Sequence, residues 1–107
     1  MHRLDDEGTE SCFELLRSDA ERPTYVTFDI DSVDPAFAPG TGEFMVGGFN
    51  SREVLDVVRG VFDASANVVG ADVVEVAPSL DADGRTSALA AHVLAVMVDA
   101  ICPAKTT

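Results

Sequence analysis

Two continuous apolar runs, at residues 25–30 and 68–76, predict two buried β-strands. Runs without polar alternation are typical of strands that are covered on both faces, as they are in parallel sheets. Pro78 ends the second run, because proline cannot donate a hydrogen bond to a strand ladder. We therefore expect two parallel strands with other layers packed on both sides of them.

The segment after the first strand is irregular at first and then has apolar residues at helical spacing. Residues 32–50 are rich in glycine and proline and predict a long loop, which in a compact domain is usually functional. Residues 51–62 predict a helix that is opened by Asn50 or Ser51, with Glu53 positioned for a capping box. A short helix is also expected over residues 12–17.

A last helix is expected to begin at Thr86 or Ser87 and to run to about Ile101, before Pro103 stops it. Its apolar residues cover most of its circumference, which predicts burial on more than one side. These residues are Leu89, Val93, Leu94, Val96, Met97, Val98 and Ile101.

The order strand, helix, strand, helix predicts an α/β fold with a right-handed parallel unit. The 107 residues allow one small domain. Two parallel strands leave two open edges, and so few helices cannot cover such a pair well. We therefore expect the chain to be the end of a larger sheet domain, cut from it or completed by a partner.

Composition narrows the classes of partner. The formal net charge of −12 argues against nucleic acid and anionic membranes, and suits metal ions or a cationic small molecule. A hydrophobic content of 47% is typical of a globular protein and not of a disordered one. Without an apolar run of membrane-spanning length or a signal-like start, the sequence predicts a soluble, cytoplasmic protein.

The candidate chemistry begins at the end of the first strand, where Asp29 and Asp31 are two residues apart. Side chains two apart on a strand point to the same face, so we expect the two carboxylates to lie together. Their repulsion and lost solvation favour a cation between them, and hard oxygen ligands suit Mg, Ca or Mn. Such a pair also occurs at ordinary strand ends, so by itself it is weak evidence.

The surrounding sequence is more specific. Residues 28–42 read FDIDSVDPAFAPGTG, closed by Gly-Gly-Phe at 47–49, and this stretch resembles the last signature of the ureohydrolases. That family includes arginase, agmatinase and related amidinohydrolases. Residues 72–78 are similar to the family's Asp-x-x-Glu-x-x-Pro segment, and residues 83–86 are similar to its C-terminal end.

The resemblance implies a three-layer, parallel-sheet, arginase-like fold of which residues 1–107 form only the C-terminal strand-helix-strand-helix segment. It implies that Asp29 and Asp31 are ligands of a two-manganese centre, and that Asp34 supports the loop behind those ligands without binding the metal itself. Glu75 matches the glutamate that binds the substrate's guanidinium group. The implied reaction is manganese-dependent hydrolysis of a guanidino compound to urea and an amine. The loop sequence at residues 35–42 resembles agmatinases and favours their substrate over arginine, whereas Pro-Ser-Leu-Asp at residues 78–81 is more similar to arginase, so both substrates stay open.

The chain departs from the family pattern at several places. The histidine ligand motif and the Asp-x-His-x-Asp motif have no counterpart and would belong upstream of Met1, so we expect the isolated chain to be inactive. Glu43 replaces a small hydroxyl residue near the substrate, and Ala77 replaces a small polar residue before Pro78. For a complete domain, the resemblance implies a homo-oligomer.

Two alternatives stay open at this stage. A haloacid-dehalogenase-like phosphatase also places an Asp-x-Asp motif after a strand, and Asp29, Asp31 and Val33 satisfy it. That family requires a downstream lysine, however, and the only lysine is Lys105 in the tail. The other alternative is a non-catalytic segment that acts only by association with another subunit and requires no metal.

Overall fold

The computed structural model describes residues 6–19, 21–43 and 45–102, without the side chains of Asp6 and Glu7. Three helices and two strands follow one another in these ranges: α1 (Asp6–Arg17), β1 (Thr24–Asp29), α2 (Ser51–Ala64), β2 (Val68–Val74) and α3 (Arg85–Ile101). The predicted order is confirmed, and α1 begins six residues before the helix expected from the sequence. Pro103, which was expected to stop the last helix, and Lys105 lie outside the described residues.

The two strands pair in parallel, as predicted, with Thr24 opposite Val68 and Asp29 opposite Val74. Both strands end before the apolar runs that predicted them: β1 ends at Asp29, one residue early, and β2 ends at Val74, two residues early. Both carboxyl ends therefore lie at the same edge of the sheet, and the chain leaves each strand at that edge.

Within the described residues, one face of this sheet is covered and the other is not. Val26 and Phe28 of β1, together with Ala71 and Val73 of β2, pack against the core. From the helices the core takes Val54, Val58, Phe62, Ala90, Val93 and Met97. On the opposite face Tyr25 is 58% exposed, so the expected burial of both faces is wrong for this part of the chain. The described residues contain no layer that packs on that side.

Helix α2 begins as the sequence predicts. The Asn50 side chain accepts the Glu53 N–H (2.8 Å), and the Glu53 carboxylate accepts the Asn50 N–H (3.0 Å), which completes the capping box. This pairing satisfies two of the four N–H groups that a helix start leaves without intrahelical partners. It also fixes where the long loop of residues 33–50 ends.

Helix α3 begins differently from the prediction. It starts at Arg85 after Gly84, whose φ of 80° is left-handed, so neither Thr86 nor Ser87 is the cap. The Asp81 carboxylate instead accepts the backbone N–H groups of Thr86 (3.1 Å) and Ser87 (2.8 Å). A carboxylate from the preceding loop is therefore the capping group, and the Thr86 side chain also bonds to it.

The expectation that α3 is buried on more than one side is also wrong within the described residues. One side packs into the core through Ala90, Val93 and Met97. The other side leaves Leu94 44% and Val98 60% exposed, because the described chain places no element against it. None of the described helices has the length and apolar content needed to cross a bilayer.

Candidate metal and substrate site

Asp29 and Asp31 lie together, but for a different reason from the one predicted. The chain leaves β1 at Asp29 and enters a 3-10 turn over Ile30–Ser32, so the two-residue strand period does not apply. Asp29 caps that turn by accepting the Asp31 N–H (3.0 Å), and Ser32 donates its hydroxyl to the Asp29 carbonyl (2.8 Å). A capped turn, and not a strand face, therefore sets the geometry of the pair.

The electrostatics of the pair are unfavourable without a cation. Partial burial is the main cause that raises the pKa of the Asp31 carboxyl, followed by its hydrogen bond with the Asp29 carboxyl. The negative charges of Asp29, Glu75 and Glu43 raise that pKa further. Three other acidic side chains thus act on Asp31 at this edge, and a positive group placed there would relieve the repulsion.

Glu75 stands next to the pair because of the strand register. Asp29 pairs with Val74, so Glu75 is the first residue beyond β2 at the edge where Asp29 ends β1. Its φ of 74° makes it the one residue other than glycine with a left-handed backbone in the described ranges. A strained backbone at a charged residue is a feature that clusters at functional sites.

Asp34 holds the long loop together behind the site. Its carboxylate accepts the Ala36 N–H through one oxygen and the Gly47 N–H through the other, both at 2.9 Å. Close by, Val33 and Phe49 form a parallel bridge. Gly48 is required at that bridge, because a Cβ there would come 2.4 Å from the Ser32 carbonyl oxygen. The two ends of the loop are thereby fixed beside Asp31.

A second junction fixes the middle of the loop. Gly40 donates its N–H to the Thr86 hydroxyl (2.7 Å), and its carbonyl accepts the Ala77 N–H (2.8 Å). A Cβ at Gly40 would come 2.6 Å from the Asp81 Cβ, so only glycine fits. We call the set of Gly40, Ala77, Asp81 and Thr86 the Gly40 junction.

The Gly40 junction was not predicted from the sequence. Thr86 was expected to open the last helix, whereas it lies inside α3 and is fully buried. The available signal was a threonine next to a helix start that already had a nearby aspartate, Asp81, able to cap it. Long-range partners such as Gly40 have no signature in local sequence.

The residues suit part of a manganese site. Carboxylate oxygens from Asp29 and Asp31 are the hard ligands that manganese accepts. Across residues 6–19, 21–43 and 45–102, however, no group of three or more His, Cys, Asp or Glu side chains is arranged to hold a metal ion. Two carboxylates do not complete a two-metal centre, so any such centre needs ligands besides these.

Comparisons with known protein families, sequences and structures all point to the same family. The Arginase family model matches residues 1–99. An agmatinase of Bacillus cereus is 47% identical over 85 residues, which are 79% of this chain and 29% of the relative. Proclavaminate amidino hydrolase from Streptomyces clavuligerus superposes with a TM-score of 0.75 at 47% identity, over 87% of this chain and 31% of that one.

An arginase from Bacillus subtilis superposes with a TM-score of 0.71 at 28% identity, over 94% of this chain and 32% of that one. These neighbours confirm the arginase-like α/β fold predicted from the sequence. The chain spans less than a third of the length of the curated relatives it matches.

Proposed function

The chain belongs to the arginase family, and from that premise we propose that it forms the C-terminal segment of a ureohydrolase. The proposed reaction is hydrolysis of a guanidino compound: water adds to the guanidinium carbon, the bond to the substituted nitrogen breaks, and urea and an amine are released. The family match favours this function over the phosphatase alternative.

The observation that carries the proposal is the register of the two strands. It places Glu75 directly beyond β2, at the edge where Asp29 ends β1 and Asp31 follows. Ligands of open α/β sheets bind at the carboxyl ends of the strands. A guanidinium is planar and cationic, and a carboxylate such as that of Glu75 meets it with paired hydrogen bonds.

Asp29 and Asp31 are the residues that would hold manganese. When bound, divalent ions of this kind acidify water and polarise the group under attack. The remaining ligands would come from outside residues 1–107, so the chain alone is proposed to be inactive. In the complete protein Asp34 would keep the loop in place behind these ligands through its bonds to Ala36 and Gly47.

Agmatine is the substrate we favour, because several of the similar curated proteins are named agmatinase. Glu43 adds a negative charge that acts on Asp31, at a position where the family resemblance predicts a small hydroxyl residue. We therefore expect a preference for substrates with a second positive charge. A homo-oligomeric state and a cytoplasmic location stay predictions from the sequence.

A hybrid enzyme tests the function. The matched C-terminal segment of the Bacillus cereus agmatinase is replaced by this chain, and urea release from agmatine is measured with manganese. We expect turnover that is lost in Asp29→Asn and Asp31→Asn and falls sharply in Glu75→Gln. Asp56→Asn is the matched control, because Asp56 is an exposed acid on α2 away from this edge.

Two results would contradict the proposal. A folded, manganese-loaded hybrid without turnover would favour the non-catalytic alternative. Urea release by the 107-residue chain alone, above a blank without enzyme and abolished by Asp29→Asn, would show that the chain needs no further ligands.

A further inference from the structure

We propose that Thr86 is a positioning residue of this site, which holds Glu75 in place through the Gly40 junction. The inference rests on the proposed function for the role of Glu75. The junction connects three segments: the loop that follows Asp31, the segment that follows Glu75, and the first turn of α3.

The position of Thr86 argues for a specific role. Thr86 is the second residue of α3 and is 0% exposed, so its hydroxyl needs a buried hydrogen-bond partner. The Asp81 carboxylate already accepts the first N–H groups of α3, and the Thr86 hydroxyl also bonds to that carboxylate. The same hydroxyl accepts the N–H of Gly40, 46 residues away, and so joins the helix start to the loop.

The junction leaves little room for movement. The Cβ positions around Gly40 are so close that the loop backbone lies directly against Asp81 and Thr86. Both polar groups of Gly40 are used, one by Thr86 and the other by Ala77. Loss of the Thr86 hydroxyl would leave a buried N–H without a partner, which a close-packed site cannot easily tolerate.

The contacts lead directly to Glu75. Ala77, which donates to the Gly40 carbonyl, is two residues beyond Glu75. A displaced Gly40 therefore moves the segment that carries the Glu75 carboxylate. Arg85 holds the same loop at a second point, by donating from Nη1 to the Ala36 carbonyl (2.9 Å). The first turn of α3 thus sets the separation between Glu75 and the Asp29–Asp31 pair.

Amide hydrogen exchange on the 107-residue chain tests the junction directly. Thr86→Val keeps the shape of the side chain but removes the acceptor, whereas Thr86→Ser keeps the acceptor. We expect Thr86→Val to speed exchange at Gly40 and Ala77 at least about tenfold and to shift the Glu75 amide resonance. The core amide of Val58 should not change, and Thr86→Ser should restore wild-type rates.

Ser87→Ala is the matched control. Ser87 lies in the same turn and also bonds to Asp81 (2.7 Å), whereas the Gly40 N–H is donated to Thr86. Uniform acceleration of all amides by Thr86→Val, or unchanged rates at Gly40 and Ala77, would overturn the proposal. If Thr86→Val fails to fold, the wild-type chain still decides: exchange of the Gly40 N–H at the rate of a free peptide would refute the junction.

The hybrid enzyme separates this inference from the proposed function. If Glu75 is positioned through Thr86, Thr86→Val should raise KM for agmatine about tenfold or more with the manganese content unchanged, and Thr86→Ser should reverse it. A hybrid that lacks turnover while the selective exchange effect persists refutes the function and leaves the junction intact. An active hybrid whose KM is insensitive to Thr86→Val refutes the positioning role and leaves the function intact.

Discussion

The left-handed backbone of Glu75 leads to a prediction about stability. A residue with a Cβ pays about 1–2 kcal/mol to adopt this conformation, whereas glycine adopts it freely. Glu75 has a φ of 74°, so replacing it with glycine should relieve that strain. Glycine also has more conformational freedom than alanine in the unfolded chain, and this lowers the stability of the folded state by about 0.5–1 kcal/mol.

The informative comparison is Glu75→Gly with Glu75→Ala, because both remove the same carboxylate. The strain relief exceeds the entropic cost, so we expect Glu75→Gly to be more stable than Glu75→Ala by about 0.5–1 kcal/mol, or about 4 °C in Tm. Thermal and urea unfolding of the 107-residue chain would measure this difference. Ala77→Gly is the control, since Ala77 has a φ of −113° and the same exchange should destabilise there by about 0.5–1 kcal/mol.

A Glu75→Gly variant less stable than Glu75→Ala would refute the strain argument, because that is the sign expected at an ordinary position. In the hybrid enzyme both variants should lower kcat/KM by roughly 10- to 150-fold, the range expected for loss of a hydrogen bond to a charged group. If the two variants lose activity equally but Glu75→Gly is the more stable, the strained backbone at residue 75 is present because the carboxylate is needed there.

Three further predictions use the same unfolding assays. Asp31→Asn should raise Tm at pH 7 in the presence of a chelator. The pKa of Asp31 is raised in the folded protein, so the folded state binds the proton more tightly than the unfolded state does. The wild-type protein therefore loses stability as the pH rises above about 4, and the uncharged asparagine avoids this loss. A Tm difference that is constant from pH 4 to pH 7 would contradict this. Asp81→Ala should lower Tm at pH 7 by roughly 5 °C, because it removes the carboxylate that caps α3. The hydrogen bond from the Ser87 hydroxyl is the main cause that lowers the pKa of Asp81, so these bonds are lost when low pH protonates the carboxylate. A Tm difference that persists unchanged at low pH would argue against this reasoning. Asn50→Ala should cost about 1 kcal/mol of unfolding free energy through the capping box, and an unchanged urea midpoint would show that the box contributes little.

Local sequence determined the elements and their order. Apolar runs marked both strands, and the Asn50–Glu53 spacing marked the start of α2, because strand burial and helix capping depend on residues a few positions apart. The resemblance of residues 28–42 to ureohydrolases led to the family that the comparison shows. These features need no knowledge of distant contacts.

The sequence was less informative where the chain changes direction. The strand period wrongly explained the Asp29–Asp31 pair, since a period applies only while the strand continues and β1 stops at Asp29. The helix start was misplaced because Asp81, outside the helix, does the capping. Burial on both faces was predicted from apolar content, but burial depends on what other parts of a fold place against that surface.

Tertiary structure alone decided the geometry of the site. Whether Glu75 stands beside Asp29 depends on the register of β1 and β2, which pairs residues 45 positions apart. The contact between Gly40 and Thr86 spans a similar separation. Neither is visible in local sequence, because such pairings are selected by the packing of the whole core against one face of the sheet, and one shifted register would move every partner.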